Sequence, residues 1–171
     1  MLRLKRITWF AAFLGALAVS ASSTQARDIG GTISSTLTIT EDSQLVDDVT
    51  CTVTGAPCIA IGAPNIKLDL NGFTMTGQAD PQTGCSGTSI ANEVGIDVNA
   101  RSNVVIVGPG MVWRFRNSGI RLLNSTGVKV TGVTMSTNCQ SGIIVQGGSL
   151  NEMEGNTAIG NGVLGAACGG I

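Results

Sequence analysis

The chain has no histidine and no tyrosine among its 171 residues. Aromatic residues make up 4% and charged residues 12%, against 43% hydrophobic. Each scarcity removes a class of protein. Without histidine there is no imidazole to serve as the base of a Ser-His-Asp site, and zinc loses a principal nitrogen ligand. So few aromatic and charged residues are foreign to an ordinary globular α/β enzyme. No apolar run reaches the roughly 20 residues that a membrane span needs. Glycine, in contrast, is abundant at 24 residues. Small aliphatic side chains with frequent glycine suit a thin, often-turning chain.

Residues 1–26 read as a secretory signal peptide. Leu2-Arg3-Leu4-Lys5-Arg6 is basic, Ile7 to Val19 is apolar, and Thr24-Gln25-Ala26 supplies small residues for cleavage. A secreted or periplasmic protein is expected, with no membrane association after cleavage. Removing Arg3, Lys5 and Arg6 leaves seven basic and eleven acidic residues, a net charge of −4. That balance argues against nucleic acid as a partner, which favours a clustered basic surface.

The dominant signal is an internal repeat. Gly95-Ile96-Asp97-Val98 is followed 24 residues later by Gly119-Ile120-Arg121-Leu122, and 23 residues later by Gly142-Ile143-Ile144-Val145. A second strand follows at fixed offset: Asn65-Ile66-Lys67-Leu68, Asn103-Val104-Val105-Ile106, Gly127-Val128-Lys129-Val130, and Asn151-Glu152-Met153. Apolar residues alternate with period two, which indicates strands. Strands this short cannot bury a face alone, so stacked coils must share a core. Expected inward columns are Ile66, Val104 and Val128; Leu68, Ile106, Val130 and Met153; and Ile96, Ile120 and Ile143. Lys67, Val105, Lys129 and Glu152 fall outward. Gly and Asn at the corners are expected to supply the positive φ of sharp turns. The fold class expected is all-β, a right-handed parallel β-helix. It is a single-stranded solenoid of about four coils with 23–24 residues each, occupying residues 58–171. Residues 27–57 form an irregular capping section before it. Residues 77–93 break the period and read as a loop inserted between coils, a common way for solenoids to shape a binding site. The chain stops at Gly169-Gly170-Ile171 as a coil opens, so an uncapped C-terminal end and a longer parent protein are expected.

Leu68-Asp69-Leu70-Asn71-Gly72-Phe73-Thr74-Met75-Thr76-Gly77 resembles the Leu-Asp-Leu-Asn-Gly-x-Thr-Ile-x-Gly segment of right-handed β-helix proteins of the pectin-lyase-like superfamily. Glu154-Gly155-Asn156-Thr157-Ala158-Ile159-Gly160-Asn161-Gly162 resembles the parallel β-helix repeat of the same group. The resemblance covers about residues 36–171. It implies a polysaccharide-engaging protein. It leaves open a lyase, a glycoside hydrolase or a structural, adhesin-like module, because fold does not select activity. Calcium as a cofactor is implied only through the lyases of this superfamily, which pair a cationic base with calcium on acidic ligands.

Candidate chemistry is sparse. Asp97, Arg101 and Arg121 are the catalytic candidates, with Asp69 a further acidic position on an early coil. Asp97 and Arg121 share a column one coil apart, so an interstrand ion pair competes with any catalytic role. Asp47-Asp48 superficially matches the paired aspartates of polygalacturonases, but the accompanying histidine element is absent, and solvated turn residues are expected. Lys129 and Glu152 are expected to form a surface pair. Trp113, Arg114, Phe115 and Arg116 form the densest aromatic-basic cluster. Trp113, Arg114 and Arg116 are candidates for stacking on sugars and binding uronate. The competing expectation packs Trp113 and Phe115 inward and turns the arginines to water. No metal site is expected from the residues themselves. Five cysteines suggest a local Cys51–Cys58 disulfide and a Cys139–Cys168 staple between coils, with Cys85–Cys139 as the rival pairing.

Overall fold

A computed structural model describes residues 25–79, 85 and 91–162. Most of the expected signal peptide, the tip of the inserted loop, Cys168 and the expected open end therefore lie outside the described residues. Among those described, the protein is all-β. Three strands open the chain: β1 (Arg27–Ile33), β2 (Leu37–Ile39) and β3 (Ser43–Cys51). Three more follow in each repeat. They are β4 (Ile59–Ile61), β5 (Lys67–Asp69) and β6 (Thr74–Thr76); β7 (Ile96–Asn99), β8 (Val105–Val107) and β9 (Met111–Trp113); β10 (Ile120–Thr126), β11 (Lys129–Thr131) and β12 (Thr134–Ser136); and β13 (Ile143–Ser149), β14 (Glu152–Glu154) and β15 (Thr157–Ile159).

Each of these strands pairs in parallel with the strand three elements away. One five-stranded sheet runs β13-β10-β7-β4-β2. The other sheet consists of two strips, β14-β11-β8-β5 and β15-β12-β9-β6, that meet on β3. Ser43 and Gln44 of β3 pair with β5, whereas Val49 and Thr50 pair with β6. β1 runs along the other edge of β3, with a register shift between Ile29 and Gly31. The opening section 27–57 thus extends the stack through long strands.

The register sets the core. Leu68, Ile106, Val130 and Met153 stand in one column, and Ile96, Ile120 and Ile143 in another. Leu68, Ile106, Val130, Ile96 and Ile120 are fully buried. At β6, β8, β9, β11 and β12 only the central side chain of the three turns inward, an out-in-out pattern, whereas β4 buries Ile59 and Ile61 and turns Ala60 outward. Burying each such side chain contributes about 1.5–3 kcal/mol.

Two local devices differ from the sequence expectation. The Gly of the Gly-Ile pairs serves close approach. A Cβ on Gly95 would stand 2.6 Å from the Gly119 carbonyl oxygen, and one on Gly119 would stand 2.8 Å from that of Gly142. Asparagine has two uses. Asn65, Asn71 and Asn103 do adopt positive φ. Asn151, Asn156 and Asn161 instead bond the backbone of the preceding layer. Their Oδ1 atoms accept the amides of Val128, Val133 and Asn138 at 2.9–3.0 Å. Their Nδ2 atoms donate to the carbonyls of Ser125, Val130 and Met135 at 2.8–3.0 Å. Asn138 does the same one layer earlier, for the Phe115 amide and the Val112 carbonyl. Corner backbone that leaves the ladder is thereby satisfied within the protein, as burial requires.

Disulfides join Cys51 to Cys58 and Cys85 to Cys139. The staple expected between Cys139 and Cys168 gives way to the rival pairing. The inserted segment carries Cys85 across the corner where Cys139 sits, at a Cα separation of 5.2 Å, and both pack against Ala79.

Ile120→Ala is expected to cost about 2–5 kcal/mol in urea denaturation, as a cavity at a buried aliphatic site does. Lys67→Ala, on the outward face, should change stability by no more than about 0.5 kcal/mol. Equal losses would contradict the inward and outward assignment.

Candidate functional site

The outer face of the five-stranded sheet carries a cleft of about 410 Å³. Its shape follows from side-chain size. Thr38, Ala60 and Asp97 are register partners on β2, β4 and β7. Ala60 and the following Gly62 are small, so the middle layer recedes between Thr38 and the Asp97 layer. Gly62 is required there: a Cβ would lie 2.7 Å from Thr38 Cγ2 and 2.9 Å from Thr40 Cγ2. The volume lies within the range of roughly 300–1,000 Å³ for small-molecule sites.

Arg101 and Asn99 line one wall of the cleft with Asp97. Ala100, at φ 51°, turns the chain as β7 ends. The Arg101 amide donates to Ser125 Oγ at 3.3 Å, and one guanidinium nitrogen donates to the Ala100 carbonyl at 3.1 Å. Its Nε is buried and has no hydrogen-bond partner. A buried donor left unmet costs about 1–3 kcal/mol, and among the described residues no carboxylate pairs with the guanidinium.

Asp97 lines the same cleft but is already engaged. Arg121 grips it with two bonds, Nε to Oδ1 at 2.8 Å and Nη2 to Oδ2 at 3.0 Å. Nη1 of Arg121 donates to Asn92 Oδ1 at 2.8 Å. The pair is well covered, with side chains 9% and 15% exposed. Of the three catalytic candidates, Asp97 and Arg101 therefore face the cleft, whereas Arg121 stands behind Asp97. The interstrand ion pair is present, in a more covered setting than a surface pair.

The Trp113 cluster follows the competing expectation at Phe115 but not at Trp113. Val112, not Trp113, aligns with Met75 and Met135. Trp113 thus points to the outer face, where Nε1 donates to Thr76 Oγ1 at 2.8 Å. Counting one residue out of register turned it inward. Phe115 is buried. The arginines are tied down instead of facing open water. Arg114 stacks its guanidinium 5.4 Å from the Trp113 ring centroid and donates to the Ala79 carbonyl. Arg116 grips Glu93 with two bonds, at 2.6 and 2.8 Å, and Glu93 Oε2 also accepts the Gly55 amide at 3.2 Å. With its side chain 3% exposed, Glu93 is a buried carboxylate that the sequence reading overlooked. The available signal was its position 23 residues before Arg116, one repeat away.

Elsewhere the charges pair along the stack. Lys129 meets Glu152 at 3.4 Å and Glu154 at 3.5 Å, whereas Lys67 meets Asp69 of its own strand at 3.0 Å. The hydrogen bond to Glu152, then its charge and that of Glu154, hold Lys129 above the ordinary lysine range. A raised lysine lends stability that is complete at neutral pH and lost only as pH climbs through the raised value. Asp47 and Asp48 are exposed on β3, and Asp48 Oδ1 accepts the Thr74 amide at 2.8 Å. They lie on the other sheet from the cleft.

The family described as periplasmic copper-binding protein (NosD) matches residues 60–169. No curated protein and no solved structure matches the chain. The family is periplasmic, and the protein is secreted or periplasmic accordingly. Among the described residues no helix is long and apolar enough to cross a membrane. The donor groups among the described residues do not fit copper. The chain has no histidine, and disulfides occupy Cys51, Cys58, Cys85 and Cys139, whereas the thiolate is the metal ligand. Met75 and Met135 are buried on either side of Val112. Among the described residues, no cluster of three His, Cys, Asp or Glu converges.

Arg116→Ala is expected to destabilise the protein by about 3–5 kcal/mol, because it strands Glu93 as a buried carboxylate without its cation. Urea denaturation checks this, and a loss below about 1 kcal/mol would contradict the burial of the pair.

Proposed function

For a chain that belongs to the NosD family of periplasmic proteins, we propose an exported right-handed parallel β-helix that binds acidic polysaccharide through the cleft at Arg101. The helical winding is supported by three parallel strips whose strands recur every third element. It is supported further by the right-handedness of about 98% of parallel crossovers, and by the pectin-lyase-like segment at Leu68–Gly77. Export rests on the amino-terminal basic and apolar segment together with the family's compartment.

The observation that carries the binding role is the Arg101 guanidinium on the wall of a 410 Å³ cleft, with no carboxylate partner among the described residues. A guanidinium presents planar donors that match a carboxylate in two-point fashion. Thr38 and Asn99 add a hydroxyl and an amide, suited to sugar hydroxyls. Asp97 is the sole carboxylate among the cleft's lining residues, and Arg121 holds it. Glycoside hydrolysis normally takes two carboxylates about the bond, so the described lining suits binding rather than hydrolysis.

Isothermal titration with trigalacturonate and tetragalacturonate tests this, with maltotriose as the neutral control. The folded protein should bind the acidic oligomers in preference. Arg101→Ala should weaken binding about 10–100-fold, the equivalent of roughly 1.5–3 kcal/mol for a charge-assisted bond. Ala60→Leu, which fills the cleft from the outer face, should weaken it too. Absence of binding by folded protein, or affinity unchanged in both variants, would overturn the reading. Release of unsaturated uronides would replace it with a lyase.

A further inference from the structure

We propose that Arg121 is a positioning residue that fixes the cleft's preference for anions, although it does not line the cleft. The inference rests on the uronate-binding reading of Arg101 and concerns how that site keeps its charge. Two ionisable groups line the cleft, Asp97 and Arg101. Left to themselves, a carboxylate and a guanidinium on one wall would pair, and the cleft would present no free cation. The structure prevents this by giving Asp97 a different partner. Both carboxylate oxygens are occupied by Arg121, at 2.8 and 3.0 Å. Arg101 has no carboxylate partner among the described residues.

Arg121 is itself held in place. Its backbone is locked in register with Asp97 by the β7–β10 ladder. Its remaining Nη1 is anchored on Asn92, a residue of the segment inserted between β6 and β7. Asn92 adopts φ 65°, and the next residue, Glu93, is clamped by Arg116. The exit of the insertion is thus fixed by two arginines from the following layer. The chain Asn92–Arg121–Asp97 connects that insertion to the wall of the cleft. The insertion therefore acts on specificity through charge, by keeping Asp97 neutralised and turned from Arg101.

The test uses the full-length protein, oxidised, with tetragalacturonate and its methyl ester as paired probes. Arg121→Gln frees the Asp97 carboxylate to take Arg101. Affinity for the acid should fall by about tenfold or more, as an adjacent unpaired opposite charge warrants, while affinity for the neutral ester stays within about threefold. A general loss of structure would lower both together. Asp97→Asn combined with Arg121→Gln replaces the ion pair with two amides that can still bond, and it removes the competing charge. Acid binding should return to within about threefold of the parent. This pair of variants keeps the inference open to refutation if Arg121→Gln alone folds poorly. The inference fails if Arg121→Gln binds the acid as the parent does, if both probes weaken equally in a folded variant, or if the double variant binds no better than the single. Failure of the parent to bind any acidic oligomer would instead refute the binding role of the cleft.

Discussion

Everything in this protein depends on the chain returning in register, layer on layer, whether after 23 or 24 residues or across the longer insertion. Strands of three residues have almost no stability of their own. They persist because each pairs in parallel with a strand of a neighbouring layer. The same register places like residues over like, so one inward position becomes a column of Leu, Ile, Val and Met. It also dictates where polar groups find partners. Asn138 and Asn161 bond the backbone one layer back. Arg121 meets Asp97 and Arg116 meets Glu93 one layer back as well. Hydrogen bonds and ion pairs here span one repeat because the fold brings one repeat into contact with the next.

Much of the fold was legible for that reason. The Gly-Ile spacing and period-two alternation state the register directly, and the inward columns at Leu68, Ile106 and Val130 follow from it. Errors came where one residue of phase decides the face. The competing expectation packs Trp113 inward, whereas the residue that joins the Met75 and Met135 column is Val112. In a strand the next residue always faces the other way, so a slip of one exchanges core for surface. The Cys85–Cys139 disulfide stood only as the rival pairing for another reason. Cys85 lies in the insertion, outside the period, and no spacing argument fixes where an insertion crosses the stack.

The candidate site was less legible still. Asp97, Arg101 and Arg121 could be named from sequence, but their division of labour could not. It depends on Ala60 and Gly62 being small enough for the surface to recede between layers, and on Asn92 reaching Arg121 from the insertion. Glu93 was overlooked because a charged residue in a loop reads as solvated. Its burial is set by Arg116 and the Gly55 amide, contacts from two other layers. Covered ion pairs of this sort contribute specificity of arrangement more than net stability. Around the insertion they fix its exit and leave one guanidinium unspent.

The account stands or falls on the cleft between the Thr38 and Asp97 layers as the ligand site. Backbone chemical-shift mapping during titration with tetragalacturonate tests it most directly. The amides of Thr38, Gly62, Asn99, Ala100 and Arg101 should shift together and saturate, while those of Lys67, Lys129 and Trp113 stay fixed. Shifts centred on Trp113 and Ser136, or spread evenly over the charged strip of Lys67 and Lys129, would contradict the account.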